Sequence, residues 1–300
     1  MRDQFANAII QFYEKYPNQV FLTGDLGYKA LEKVQERFGK YFINAGVAEQ
    51  NMISMAAAMA YEGFIPWAYS IAPFITLRPY EQTRNDVCLH HLPVKLVGNG
   101  GGYGYGIMGA THHNLEDIGV MRLLPGMRIY VPFINDDVEM AVENMLLDNS
   151  PNYLRLNIVA KIKYGIPAFT AWRKIKSGSK GTVIGTGPVL GNVFNISEDI
   201  LADLEVWVVS IFPFGEIPEE LLQNIQETQK VISLEEHYGA GGLGEAFAKE
   251  LINKLSCPVS FHSLYAMGYP EGKYGSQQWH QAESNLAGKN LENKIIEYLK

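Results

Sequence analysis

Three hundred residues, 47% of them apolar, with a net charge of -7, describe a globular chain with room for two cores. That charge offers no basic field to nucleic acid or an anionic membrane, no apolar run reaches membrane-spanning length, and Met1-Arg2-Asp3-Gln4 is not a secretory start. Cys88 and Cys257 lie far apart and form neither a metal nor a disulfide pattern, as expected of a cytoplasmic enzyme.

In chain order, Val20-Phe21-Leu22-Thr23 reads as a strand ending at Gly24-Asp25. Tyr41-Phe42-Ile43-Asn44-Ala45 reads as a short buried strand, and a long apolar helix over 48-62 follows it. A strand over 65-69, a helix over about 77-90 and a strand over 94-97 come next. Then follow a strand at 128-132, a helix over 136-147 and a strand at 152-156. Residues 163-180 break the pattern, being polar, lysine-rich and glycine-containing. Strands resume at 182-185, 205-209 and 230-234. The repeated strand-helix-strand order predicts an α/β fold of two domains, each a mostly parallel sheet flanked by helices. The expected units are residues 1-170 and 181-300, joined by a linker at 171-180.

Two segments carry chemistry. Gly46-Val47-Ala48-Glu49-Gln50-Asn51 places one carboxylate at the mouth of the 48-62 helix, at a strand-to-helix junction where open α/β sheets bind ligands. By position alone Glu49 is either a solvated first-turn acid favoured by the helix dipole or a buried functional acid. Residues 98-109 hold seven glycines, follow a strand and run into Ala110-Thr111-His112-His113. Ordering so much glycine costs entropy, and loops that accept this cost let backbone approach a ligand closely.

Other patterns are set aside. Gly104-Tyr105-Gly106-Ile107-Met108-Gly109 and Gly239-Ala240-Gly241-Gly242-Leu243-Gly244 both match G-x-G-x-x-G, but neither has the acidic residue that would hold a ribose at the end of the next strand. His90-His91 and His112-His113 are adjacent pairs whose side chains diverge on a regular element, so no metal set is expected. His90 and His91 read as caps at a helix end. No G-x-S-x-G elbow is present.

The order GVAEQNM, then YSIAPFITLRPYEQTRND, then a glycine loop ending in THH-x-LED, resembles the transketolase family. The resemblance is closest to its pyrimidine-binding and C-terminal domains, supplied as a separate chain of a split enzyme that depends on thiamine diphosphate. It implies transfer of a two-carbon ketol unit between sugars, with the cofactor carrying the hard chemistry. Glu49 matches the family glutamate that hydrogen-bonds the aminopyrimidine ring. Phe74 matches the aromatic that stacks on that ring, Asp25 an aspartate near the cofactor, and Tyr69 and Tyr80 are further candidates for the pocket wall. His112 matches a histidine that faces substrate and assists proton transfer, a task suited to imidazole.

The same resemblance exposes departures. Where the family has an aspartate four residues before the histidine, this chain has Met108; a histidine twelve residues before it is replaced by Gly100. The arginine after the PNYLRLN-like strand is replaced by Ile158. Arg2 and Lys29 are candidates to supply positive charge instead. The substrate half therefore reads as rebuilt, for a donor other than the usual pentose phosphates. The chain also has no Gly-Asp-Gly, the family's site for diphosphate and Mg2+ (or Ca2+), so a larger partner subunit is expected to hold the metal. The implied assembly is two-plus-two, with a homodimer of this chain at its centre and residues 181-300 serving mainly in assembly. Alternatives are the β subunit of a 2-oxo acid dehydrogenase E1, 1-deoxyxylulose-phosphate synthase, and a non-catalytic assembly subunit.

Overall fold

A computed structural model describes residues 1-26, 31-159 and 162-300. Two sheets organise the chain. The first contains β1 (Gln19–Thr23), β2 (Phe42–Asn44), β3 (Ile65–Ile71), β4 (Lys95–Asn99), β5 (Arg128–Tyr130) and β6 (Asn152–Leu156), all parallel. The second contains β7 (Trp172–Lys176), β8 (Gly181–Thr186), β9 (Leu204–Val209), β11 (Lys230–Glu235) and β12 (Ser260–Leu264), while β10 (Ile211–Phe212) returns to add an antiparallel edge to the first sheet. The orders are β10-β5-β6-β4-β3-β1-β2 and β12-β11-β8-β9-β7.

Strands β1, β3, β4 and β6 are buried along almost their whole length, as strands of a parallel sheet covered on both faces must be. Period-two alternation divides their side chains. Phe21, Trp67, Tyr69, Val97 and Leu154 face one core, shared with helices α1 (Arg2–Phe12) and α2 (Glu32–Phe38) and with the helix Asp137–Leu147. Leu22, Ala68, Leu96 and Tyr153 face the other, under α3 (Glu49–Tyr61). The long apolar stretch of α3 thus packs Met52, Ile53, Ala56 and Ala60 onto the sheet.

Several expectations change here. The 41-45 strand is not buried: β2 is an edge strand, half-buried at Phe42 and Ile43 and exposed at Asn44. Residues Trp172–Lys176, read as linker, form β7, antiparallel to β9. Its lysines gave a linker composition, yet charged side chains are what an edge strand uses to discourage further pairing. The single helix over 77-90 is instead α4 (Ala72–Thr76), a turn at 77-79, then α5 (Tyr80–Gln82) continuing into a π-helix, Thr83–Cys88. Pro73 and Pro79 punctuate it, one inside the first turn of α4 and one capping α5. His90 and His91 are exposed beyond that π-helix, with His91 at positive φ.

Buried polar contacts join the two sheets. Arg155, at the end of β6, donates from Nε to Asp117 Oδ2 at 2.7 Å, and from Nη2 to the carbonyls of Asn114 (3.2 Å) and Glu236 (2.9 Å). Asp117 opens α6 (Asp117–Arg122) and also accepts from the Tyr153 hydroxyl at 2.8 Å. Arg173 of β7 forks onto both carboxylate oxygens of Asp137, at 2.6 and 2.7 Å.

Candidate active site

In the first sheet β1 has β2 on one side and β3 on the other, so the chain reverses direction across the sheet between β1 and β3. Such a switch point opens a crevice beyond the carboxyl ends of the strands. Three residues converge there. Glu49 is the first residue of α3 and only 5% exposed, so it is not a solvated first-turn acid. Ser70, on β3, is fully buried, and its Oγ has no hydrogen-bond partner among the described residues. Gly24 follows β1; a Cβ there would lie 3.7 Å from both Glu49 Oε1 and Ser70 Oγ.

Phe74 of α4 forms the next part of the wall. Its ring is half-buried, and the guanidinium of Arg78 lies over it, with Cζ 3.6 Å from the ring centroid. The same guanidinium donates from Nη1 to Glu49 Oε1 at 3.0 Å. The edge of Phe74 meets His112, centroids 5.3 Å apart, and His112 Nδ1 lies 2.9 Å from Thr111 Oγ1. Arg78 thus links Glu49 to Phe74, and Phe74 in turn meets His112.

The opposite wall is the loop 99-112. Gly100 has φ +76°, and a Cβ on it would fall 2.3 Å from the ring of Tyr105. Tyr105 thus occupies the volume that a side chain at position 100 would need. Its ring is tilted against His112 at 5.8 Å, and its hydroxyl accepts from Asn99 Nδ2 at 2.9 Å. Behind the loop, Glu236 accepts from Tyr103 N at 2.7 Å and from Gln277 and Gln281. A Cβ on Gly102 would collide with Glu236 at 2.7 Å, so glycine lets this carboxylate close on the backbone. Burial raises the Glu236 pKa, with Arg155 and these hydrogen bonds opposing. His113 faces away from the crevice: it bonds the Gly106 carbonyl at 2.7 Å and the Tyr269 hydroxyl at 3.0 Å, and burial holds its pKa down at about 4.

The remaining candidates fall into place around this crevice or outside it. Met108 and Ile158 are exposed apolar residues. Arg2 is ion-paired with Asp3 at 3.5 Å and, with Asn99, Gly100, Tyr105, Asn157 and Ile158, lines a cleft of about 440 Å³ beside the loop. Asp25 is an exposed turn residue at positive φ that shares two hydrogen bonds with Asn44, one backbone and one side chain. Lys29 lies outside the described residues.

Two candidates are not wall residues. Tyr69 alternates with Ser70 on β3 and points to the other face, stacking on Phe5 at 6.1 Å; burial pushes its hydroxyl pKa well up. Tyr80 packs against the α3 core and donates to the Val120 carbonyl at 2.9 Å. Sequence reasoning assigned no role to Arg78, Ser70 or Tyr105. Arg78 carried a usable signal, lying four residues after Phe74; Tyr105 had none, because the loop folds back through positive-φ glycines.

The second G-x-G-x-x-G is occupied by the protein itself. The N–H groups of Leu243 and Gly244, at the start of the helix Leu243–Lys254, donate to the Glu235 carboxylate at 2.7 and 2.9 Å. The position where a phosphate would sit is filled by an internal acid.

Comparison with known proteins identifies the family. Residues 1–158 match the transketolase pyrimidine binding domain. The chain belongs to the transketolase family. It is 30% identical over 268 residues to the 6-deoxy-6-sulfo-D-fructose transketolase subunit SqwH of Clostridium sp. (strain MSTE9), covering 86% of this chain and 82% of that one. It is 29% identical over 245 residues to an apulose-4-phosphate transketolase subunit of Actinobacillus succinogenes, covering 80% and 78%. A solved split gene transketolase, described as an inactive beta4 tetramer, superposes with a TM-score of 0.83 at 25% identity, covering 99% and 97% of the two chains. This transketolase-family chain therefore spans most of the length of separately encoded subunits. No helix among its described residues is long and apolar enough to cross a membrane.

Proposed function

We propose that this chain is the small subunit of a split transketolase that transfers a two-carbon ketol unit between sugars and works only with a larger subunit. The observation that carries this reading is the buried Glu49 carboxyl at the mouth of α3, beside Phe74 and His112 at the β1/β3 switch point. Thiamine diphosphate suits these residues. An unpartnered, buried Ser70 Oγ, which faces the same point beside Gly24 as Glu49 Oε1, is a feature that a ring with polar edges would satisfy.

When bound, the cofactor supplies the electron sink for cleaving and forming the carbon–carbon bond next to a ketone. The chain's own residues then have distinct tasks. Glu49 would hydrogen-bond the edge of the aminopyrimidine and hold a proton there, and Phe74 would stack on its face. His112, oriented by Thr111, would move protons on the substrate's hydroxyl groups. The diphosphate and its Mg2+ or Ca2+ would be held by the larger subunit, in a two-plus-two heterotetramer centred on a pair of these chains.

The substrate side supports an atypical sugar. Met108, Gly100 and Ile158 lack the polar groups found elsewhere in the family, and Tyr105 fills the space beside Gly100. Two similar subunits are named for a sulfonated ketose and for apulose 4-phosphate. A donor other than the common pentose phosphates is the matching proposal here.

The test is to purify tagged chain with its larger partner, add thiamine diphosphate and Mg2+, and follow two-carbon transfer across a panel of ketose donors and aldose acceptors. Transfer by the complex and by neither chain alone is expected, with xylulose 5-phosphate a poor donor. Acyl transfer to a lipoyl domain would instead place the chain with 2-oxo acid dehydrogenases.

A further inference from the structure

Arg78 stands apart from the other charged residues around the crevice. Its guanidinium covers the Phe74 ring face at 3.6 Å and bonds Glu49 Oε1 at 3.0 Å, two contacts made at once by one planar group. The same two partners are the ones an aminopyrimidine would use: an aromatic face for stacking and a carboxyl for an in-plane hydrogen bond. Both groups are flat, nitrogen-bearing π-systems, so both satisfy the same pair of partners in the same orientation. They cannot do so together, because a side chain stacked at 3.6 Å leaves no room for a second layer on that face.

The surroundings of Arg78 fit a residue that yields. It lies in the turn 77-79 between α4 and α5, with its side chain 46% exposed, and Glu49 is the ion-pair partner shown for it. Swinging its flexible side chain outward breaks no helix and opens no core cavity. While in place, it covers Phe74 and gives the buried Glu49 carboxyl a partner, which an apolar crevice would otherwise leave without one.

We propose that Arg78 is a positioning residue that holds Glu49 and Phe74 in register while the ring site is unfilled, and that an aminopyrimidine ring must displace it to bind. This rests on the cofactor reading above, and it adds a residue and a competition that the reading alone does not contain.

The experiment titrates the full chain with 4-amino-5-aminomethyl-2-methylpyrimidine, the ring half of the cofactor, by isothermal calorimetry. Arg78→Ala is expected to bind the probe about tenfold more tightly than wild type, the scale of one stacked and ion-paired guanidinium. Arg78→Lys, which keeps the charge without the flat fork, is expected to fall between them. Adding methylguanidinium to Arg78→Ala is expected to restore weak binding competitively, a rescue that a purely structural arginine would not show. Circular dichroism on each variant reports folding.

Equal or weaker binding by Arg78→Ala would overturn the proposal and make the arginine either irrelevant to the ring or one of its ligands. Absence of probe binding to every form would overturn it too. Ketol transfer by the assembled enzyme is read separately, so failure here is distinguishable from failure of the functional assignment.

Discussion

The two walls of the crevice are built on different principles. One wall consists of side chains at the ends of regular elements: Gly24 after β1, Glu49 at the start of α3, Ser70 on β3 and Phe74 on α4. Sheet register fixes their positions, so this wall would survive changes elsewhere in the molecule. The other wall, 99-112, has no such frame. It owes its shape to positive-φ glycines at 100, 102, 106 and 109, and to buried polar groups behind it, Arg155 from the first sheet and Glu236 following β11 of the second. The framed wall carries the residues expected for the cofactor, and the propped wall carries the departures at Gly100 and Met108. A family can therefore change what it accepts by remodelling the propped wall while the framed one stays.

That contrast can be broken from either side. Glu49→Gln removes a carboxyl from the framed wall without altering volume, and kcat of the assembled enzyme should fall by about 10²–10⁴-fold, with unchanged denaturant midpoint. Arg155→Met attacks the prop. It leaves Asp117 buried without its charged partner, so unfolding stability should drop by about 3–5 kcal/mol, measured by urea titration. Activity should be lost through the loop rather than through the cofactor.

Glu235 supplies a pH test of the second sheet. Burial raises its pKa from the ordinary 4.5 to about 7, against the opposing backbone hydrogen bonds. The folded chain therefore keeps a proton that the unfolded chain has released, and the resulting stability is full below about 4.5 and lost as pH rises to about 7. The window is worth up to about 3 kcal/mol. In Glu235→Gln this slope should vanish from urea midpoints recorded across that range. The smallest effect is expected at Tyr105. Tyr105→Ala empties the space beside Gly100, and the donor KM should change by up to about tenfold with kcat nearly kept, the scale of one aromatic contact.

How much of this was legible follows the same division. Uninterrupted apolar runs, Val20-Phe21-Leu22 and Leu96-Val97 among them, announced the strands because both faces of a parallel sheet are buried. Glu49, Phe74 and His112 were singled out through motif order, and in the structure Arg78 contacts Glu49 and Phe74 while Phe74 meets His112. Tyr69 was misplaced because alternation along a strand decides which face a residue serves, and the burial run around it hides that parity. β7 was read as a linker because edge strands and linkers share lysine-rich composition. Arg155, Asp117 and Glu236 were invisible as a set: their pairing spans 38 and 81 residues, and composition carries no record of such distances. Tyr105 belongs with them, since only the folded loop shows what fills the space beside Gly100.

The most direct measurement is calorimetric titration of thiamine diphosphate with Mg2+ into the isolated chain and into its complex with the larger subunit. Tight binding of one cofactor per chain only in the complex, weakened strongly by Phe74→Ala, is the predicted result. Equally tight binding to the isolated chain, or binding in the complex that ignores Phe74→Ala, would contradict the claim that this chain provides the ring half of a shared site.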